Sequence, residues 1–198
     1  MLDKYGTGQD PYCYPDSKVL VNKLNILDEP ILEEAERELS ELASQKIEFT
    51  PPPYSLETLK QIHHTLFIDL YDWAGQVRTV DVTKSSTRFC NVNRIEPEAN
   101  KCFKWLSSRD CLESHSREEF INALSEFYGD LNMVHPFREG NGRAIRVLIE
   151  NIVINRGWEI SWASVNKEEW VQANINSVFC DYDLLISIFS KCIGKEIS

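Results

Sequence analysis

Residues 144–156 of this 198-residue chain place Ile145, Val147, Leu148, Ile149, Ile152, Val153 and Ile154 around most of a helix's circumference. A helix with so little polar face has little to offer water, so it belongs at the centre of a helical fold. The run before it, residues 119–134, has the 3.6-residue period, with Phe120, Ala123, Leu124, Phe127, Tyr128, Leu131 and Val134 on its buried side. Ser116-Arg-Glu-Glu119 supplies a capping box for that run. The segment between the two, His135-Pro-Phe-Arg-Glu-Gly-Asn-Gly-Arg143, therefore reads as a loop that opens the central helix.

Such a junction binds anions. Gly140, Asn141 and Gly142 leave the backbone free to turn, and the first helical turn adds unpaired N–H groups and a positive dipole end, a cradle for phosphate oxygens. Arg143 and Arg146 are three apart, hence on one helix face, and two guanidinium forks suit a polyphosphate. Glu139 is a lone carboxylate beside this cationic nest, the usual arrangement for Mg²⁺ held by one carboxylate and phosphate oxygens. His135 has an unperturbed pKa near neutrality and is the candidate to take a proton from an attacking hydroxyl. The chemistry expected of these residues is transfer of part of a nucleotide. A Walker A loop is excluded, because no Gly-Lys-Ser/Thr follows the glycines.

The rest of the chain reads mainly as helices around this centre. Asp28 and Pro30 open a helix with Ile31, Leu32, Ala35, Leu39, Leu42 and Ala43 inward and acidic residues outside. Thr50-Pro-Pro-Pro-Tyr54 stops it, and Ser55 caps a second helix. His63 and His64 on that helix point about 100° apart and cannot share a metal, so a structural or solvated role is expected. After Gly75 a β-branched stretch, residues 77–82, leads into residues 84–90 as a short hairpin whose polar edge suits strand addition by a partner. Pro97 marks the start of another helix. Beyond Gly157, residues 158–162 read as extended, followed by helices over 166–178 and 181–193. The tyrosines in turn-rich residues 5–17 predict an arm wrapped onto the core.

A net charge of −10 argues against nonspecific nucleic-acid binding. No apolar run approaches the roughly 20 residues needed to cross a bilayer, and the opening residues lack a signal-peptide pattern, so no membrane association and a cytoplasmic location are expected. Six scattered cysteines fit reduced thiols rather than a disulfide or zinc framework.

The motif resembles the Fic signature, His-x-Phe-x-Asp/Glu-Gly-Asn-Gly-Arg-x-x-Arg, and matches it at every specified position. Residues 73–79, Trp-Ala-Gly-Gln-Val-Arg-Thr, and the opening Gly8-Gln-Asp-Pro-Tyr-Cys-Tyr-Pro15 resemble short, free-standing bacterial Fic proteins as well. The resemblance implies an all-α Fic fold, a helical bundle with a small β-hairpin flap at about 79–95, in one domain spanning residues 1–198, with an arm at 1–17 and the motif loop and helix at 135–156. It implies protein adenylylation (AMPylation): a target hydroxyl attacks the α-phosphorus of ATP, with Mg²⁺ present, and pyrophosphate leaves.

Under that resemblance His135 is the general base, Glu139 the Mg²⁺ ligand and Phe137 the loop's anchor in the core. Gly140, Asn141 and Gly142 form the anion hole, and Arg143 and Arg146 hold the outer phosphates. Lys84, Ser85, Ser86, Thr87 and Arg88 form the flap that docks the target protein by main-chain pairing. Many Fic proteins carry an autoinhibitory Ser/Thr-x-x-x-Glu-Gly/Asn helix. Ser114 to Glu118 and Ser164 to Glu168 lack its final residue and read as helix starts, so the resemblance implies a toxin restrained by a small antitoxin protein whose Glu pairs with Arg146. Three alternatives stay open: a Doc-like protein kinase, a Fic enzyme using another nucleotide, and a noncatalytic nucleotide- or partner-binding module. Gly140, where Doc-like loops tend to carry Ala, favours AMP transfer.

Overall fold

Helix starts in this chain are set by side chains that satisfy the first orphan N–H groups. Asp28 caps α1 (Glu29–Ser44), accepting from the Ile31 N–H with Pro30 in the first turn, and Ser55 forms a capping box at α2 (Leu56–Phe67). The computed structural model describes residues 10–84 and 87–197. A hairpin of β1 (Thr83–Lys84) and β2 (Thr87–Arg88) leads to α3 (Ile95–Ser107), which carries Pro97 in its first turn. Ser116 caps α4 (Arg117–Val134) with a capping box, and α5 (Asn141–Asn155) follows the motif loop. Then come β3 (Trp158–Ile160), α6 (Lys167–Ser177) capped by Asn166, α7 (Asp183–Cys192) and β4 (Ile193–Glu196).

Central position falls to α5, which packs against α2, α4 and β3. Its Ala144, Ile145, Leu148, Ile149, Ile152 and Val153 are buried. Truncating one of the large ones to alanine should cost about 2–5 kcal/mol. The circumference is not closed, however: Val147 is half-buried and Ile154 exposed. No described helix is long and apolar enough to cross a membrane.

Three expectations need correction. The inward face of α1 is only partly the apolar set: Leu32 and Ala43 are buried together with Glu36 and Ser40, Ala35 and Leu39 are half-buried, and Ile31 and Leu42 are exposed. The helix is rotated so that a carboxylate and a hydroxyl face the interior, because a cation there binds both. The hairpin is shorter than residues 77–90. The β-branched stretch before it forms no ladder, because the buried Arg78 guanidinium binds the carbonyl oxygens of Val80 and Cys90. Finally, the last helix stops at Cys192 and the chain turns directly into β4, antiparallel to β3, with Ile160 opposite Ile193 and Trp158 opposite Glu196. Only Ile193 of β4 is buried, so that strand carries no apolar alternation to read.

The arm packs on the core from Asp10 onward; residues 1–9 lie outside the described residues. Cys13 bridges Leu20, and the Tyr12 hydroxyl accepts the Thr79 N–H at 3.0 Å. The Asp10 carboxylate accepts from the Tyr12 N–H and from the buried Arg138 guanidinium, whose Nη2 stands 2.7 Å away. Arg138 belongs to the motif loop, so the arm braces that loop from behind.

Candidate active site

Where α4 ends, His135 adopts a left-handed conformation (φ 48°) that throws its side chain out of the helical path. Its Nδ1 stands 3.1 Å from the Asn132 carbonyl oxygen. A carbonyl can only accept, so Nδ1 carries the proton and Nε2 keeps its lone pair. The Phe89 ring, just beyond β2, stacks on the imidazole at 3.7 Å and 13°. Burial, reinforced by the Lys84 cation, pushes the imidazole pKa from 6.5 down to about 3, against the opposing pull of Glu139 and the Asn132 carbonyl. His135 is therefore neutral at physiological pH, as a base must be.

Arg78 fixes the main chain around this base. Its Nε donates to the His135 carbonyl oxygen at 2.8 Å, its Nη groups to Val80, Cys90 and Val134 carbonyls, and its own N–H to the Pro136 carbonyl at 2.9 Å. One buried side chain thus ties both feet of the hairpin to the end of α4.

The loop itself is closed from within. Phe137 is fully buried, its ring stacked on His63 at 3.9 Å. His63 Nδ1 accepts the Gly75 N–H at 2.9 Å, so Nε2 holds the proton and donates to the Glu139 carbonyl at 3.0 Å. Burial lowers the His63 pKa to about 4, which keeps that tautomer neutral. His64 points elsewhere, to the Ala74 carbonyl. The Asn141 side chain does not face the cleft: its Oδ1 accepts the Phe137 N–H and its Nδ2 donates to the Phe137 carbonyl, both at 2.8 Å. Only its backbone N–H can contribute to an anion hole. Gly140 has φ +79°, and a Cβ there would lie 2.4 Å from the Phe67 ring. Glycine is required by backbone and neighbour alike. No side chain caps α5, so its first-turn N–H groups are left for an anion.

The two motif arginines line two clefts of ≈ 400 and ≈ 430 Å³, a size suited to a nucleotide. Arg143 is held by α1: Nη1 donates to the Glu36 carbonyl and Ser40 Oγ, Nη2 pairs with the Glu36 carboxylate, and the guanidinium lies 4.8 Å over Phe67. Arg146 is different. Its guanidinium lies 6.0 Å over Trp162, and among the described residues it donates no hydrogen bond and meets no carboxylate within 4 Å. Burial depresses its pKa, so an anion that pairs with it restores lost solvation.

Glu139 Oε1 accepts from the Gly140 N–H at 3.2 Å and pairs with Lys84 at 3.3 Å, joining the hairpin to the loop. Among the described residues no three His, Cys, Asp or Glu side chains gather as a metal cage. A single, partly exposed carboxylate fits Mg²⁺ that takes its remaining ligands from phosphate and water. In the hairpin, Thr87 pairs with Lys84 and the exposed Arg88 binds Asp81 at 3.1 Å; Ser85 and Ser86 lie outside the described residues. Glu118 and Glu168 are exposed in the first turns of α4 and α6, as helix starts.

Sequence reading missed Arg78, Phe89, Glu36, Ser40 and Arg138 as supports of the site. Arg78 was findable as the last specified residue of Trp-Ala-Gly-Gln-x-Arg; Glu36 and Ser40 look like ordinary polar helix positions.

A neutral histidine, an anion-ready helix start and paired arginines on a central helix define a phosphate-handling transferase site, and the family is identified by comparison. The Fic/DOC family pattern matches residues 53–153, and the chain belongs to that family. It is 38% identical over 195 residues, 98% of each chain, to an Escherichia coli protein named probable protein adenylyltransferase Fic. It is 33% identical over 192 residues, 96% of this chain and 40% of the other, to protein adenylyltransferase VbhT of Bartonella schoenbuchensis. Its fold matches the N-terminal Fic domain of a VirB-translocated Bep effector protein from Bartonella quintana, solved with bound ADP, at TM-score 0.84 and 25% identity, covering 93% of this chain and 95% of that one.

Proposed function

We propose that this protein is an adenylyltransferase that moves AMP from ATP to a hydroxyl side chain of a target protein. The observation that carries the reading is the fixed tautomer of His135: Nδ1 is committed to Asn132, and Nε2 of a neutral ring is left to accept a proton. The target hydroxyl loses its proton to Nε2, its oxygen bonds to the α-phosphorus, and the bond to the leaving pyrophosphate breaks. The first-turn N–H groups of α5 receive the α-phosphate oxygens, and Arg143 and Arg146 receive the outer phosphates. Mg²⁺ on Glu139 would neutralise phosphate charge. The clash that a methyl group at Gly140 would make with Phe67 supports the AMP-transferring loop over an alanine-bearing one. The relatives' names support the same activity.

Lys84, Thr87 and Arg88 belong to a two-stranded edge beside the base, suited to pairing with the target's extended segment. The unpaired Arg146 suits an antitoxin's glutamate as well as a phosphate, so the toxin reading predicts that ATP and the antitoxin compete for it. The activity is tested in a lysate with Mg²⁺ and ATP labelled at either the α- or γ-phosphate, using wild type and His135→Ala. The expected result is α-label transfer that the variant loses. Transfer of γ-label alone would mean a kinase, and ATP binding without transfer, with no phenotype from His135→Ala, a binding module. Recovery of only uninhibited monomer from native cells would remove the antitoxin.

A further inference from the structure

Arg143 and Arg146 lie one turn apart on α5, yet only one of them is held. A guanidinium has five N–H donors. Three of Arg143's are taken by α1: two at Nη1, by the Glu36 carbonyl and Ser40 Oγ, and one at Nη2, by the Glu36 carboxylate. Among the described residues the Nε–H and one Nη2–H take no partner, two donors that remain for a phosphate. The carboxylate is itself fixed. It is buried, and its other oxygen accepts the Tyr71 hydroxyl, whose pKa burial and Glu36 together raise, so that Tyr71 remains the donor. Phe67 closes the guanidinium's flat face. The resulting cation is locked in rotamer and plane by residues of α1 and of the segment after α2, more than 70 positions upstream.

A buried carboxylate beside a phosphate cleft lowers the net charge offered to the ligand, so its presence needs a compensating effect. The geometry points to Glu36 as a positioning residue: it orients Arg143 so that the free edge of the fork meets the nucleotide's outer phosphates, with Ser40 and Tyr71 completing the hold. This inference rests on the proposed binding of ATP in the Arg143 and Arg146 cleft. The opposite role, a carboxylate that competes with phosphate for Arg143, makes opposite predictions.

The test is the dissociation constants of ATP and AMP, with the KM for ATP and kcat, for wild type, Glu36→Ala, Ser40→Ala, Arg143→Ala and the Glu36→Ala/Arg143→Ala double variant. AMP lacks the outer phosphates and is the internal control. Glu36→Ala should weaken ATP about tenfold, leave AMP within about twofold, raise KM more than it lowers kcat, and add nothing once Arg143 is alanine. Ser40→Ala should act in the same direction with a smaller effect, and it serves where Glu36→Ala does not fold. Tighter ATP binding or higher activity in Glu36→Ala would make Glu36 a competitor and overturn the inference. Equal weakening of ATP and AMP, or additivity in the double variant, would reduce it to a general structural role and overturn it too. The transferase reading fails separately, through absence of α-label transfer by a wild type that still prefers ATP to AMP.

Discussion

The site has a base wall, at His135, and a phosphate wall, at Arg143 and Arg146, built on different principles. On the base wall, His135 is held by main-chain partners: the Asn132 carbonyl takes its Nδ1 proton, and Arg78 gathers the carbonyls of Val80, Cys90, Val134 and His135. On the phosphate wall, Arg143 is held chiefly by side chains of α1, and Arg146, among the described residues, by the aromatic face of Trp162. The base wall orients a proton acceptor and has nothing to release; the phosphate wall must exchange partners each time a polyphosphate enters or leaves. Rigid carbonyl anchoring suits the first, and a cation with open valence suits the second.

Separate loss of each wall should give separate kinetic signatures. His135→Ala should lower kcat by about 10² to 10⁴ while ATP binding stays within about twofold; a comparable loss of ATP affinity would merge the two walls into one unit. Arg146→Ala should raise the KM for ATP by about ten- to a hundredfold with a smaller change in kcat, and leave AMP binding untouched; an unchanged KM would move the outer phosphates elsewhere.

Acid should attack the base wall first. The folded pKa values of His63 and His135 are depressed from 6.5 to about 4 and about 3, so the unfolded chain binds more protons between those limits. Their contribution to stability is complete above pH 6.5 and drains away as pH falls toward those values, on the order of 2 kcal/mol for each at pH 5. The guanidinium groups of the other wall do not titrate there. Urea midpoints that coincide at pH 7 and pH 5 would contradict this. The smallest effect belongs to the tether between hairpin and loop: Lys84→Ala breaks a half-exposed pair with Glu139, worth up to about 1 kcal/mol. Its effect on ATP KM should stay under about fivefold and fade in high salt, and a large, salt-independent loss would make Lys84 a direct ligand.

The base wall was far more legible in sequence than the phosphate wall's support. The central helix, the capped helix before it and the loop between them are local, set by periodicity, a Ser116 capping box and contiguous glycines. The bonds that fix Arg143 join residues 103 and 107 positions apart, and nothing local distinguishes Glu36 from the solvent-facing glutamates of α1. Amphipathic reading placed Leu32, Ala35, Leu39 and Ala43 inward or half-inward but missed Glu36 and Ser40, because it scores hydrophobicity, while their burial satisfies a distant charge. The hairpin was overestimated for a different reason. Residues 77–82 have strand-like side chains, but the Arg78 guanidinium, two and twelve positions away, claims the carbonyls at Val80 and Cys90. Terminal β4, with a single buried residue, left no pattern to find.

The bond from Arg138 to Asp10 spans 128 positions of chain. During synthesis the arm emerges before its partner, which follows 128 positions later. The brace behind the catalytic loop cannot form on a nascent fragment that lacks Arg138, and the loop takes its final shape only after that residue is made. A chain interrupted before that point carries its acidic strap with nothing to fasten, so incomplete translation products lack a braced catalytic loop by construction.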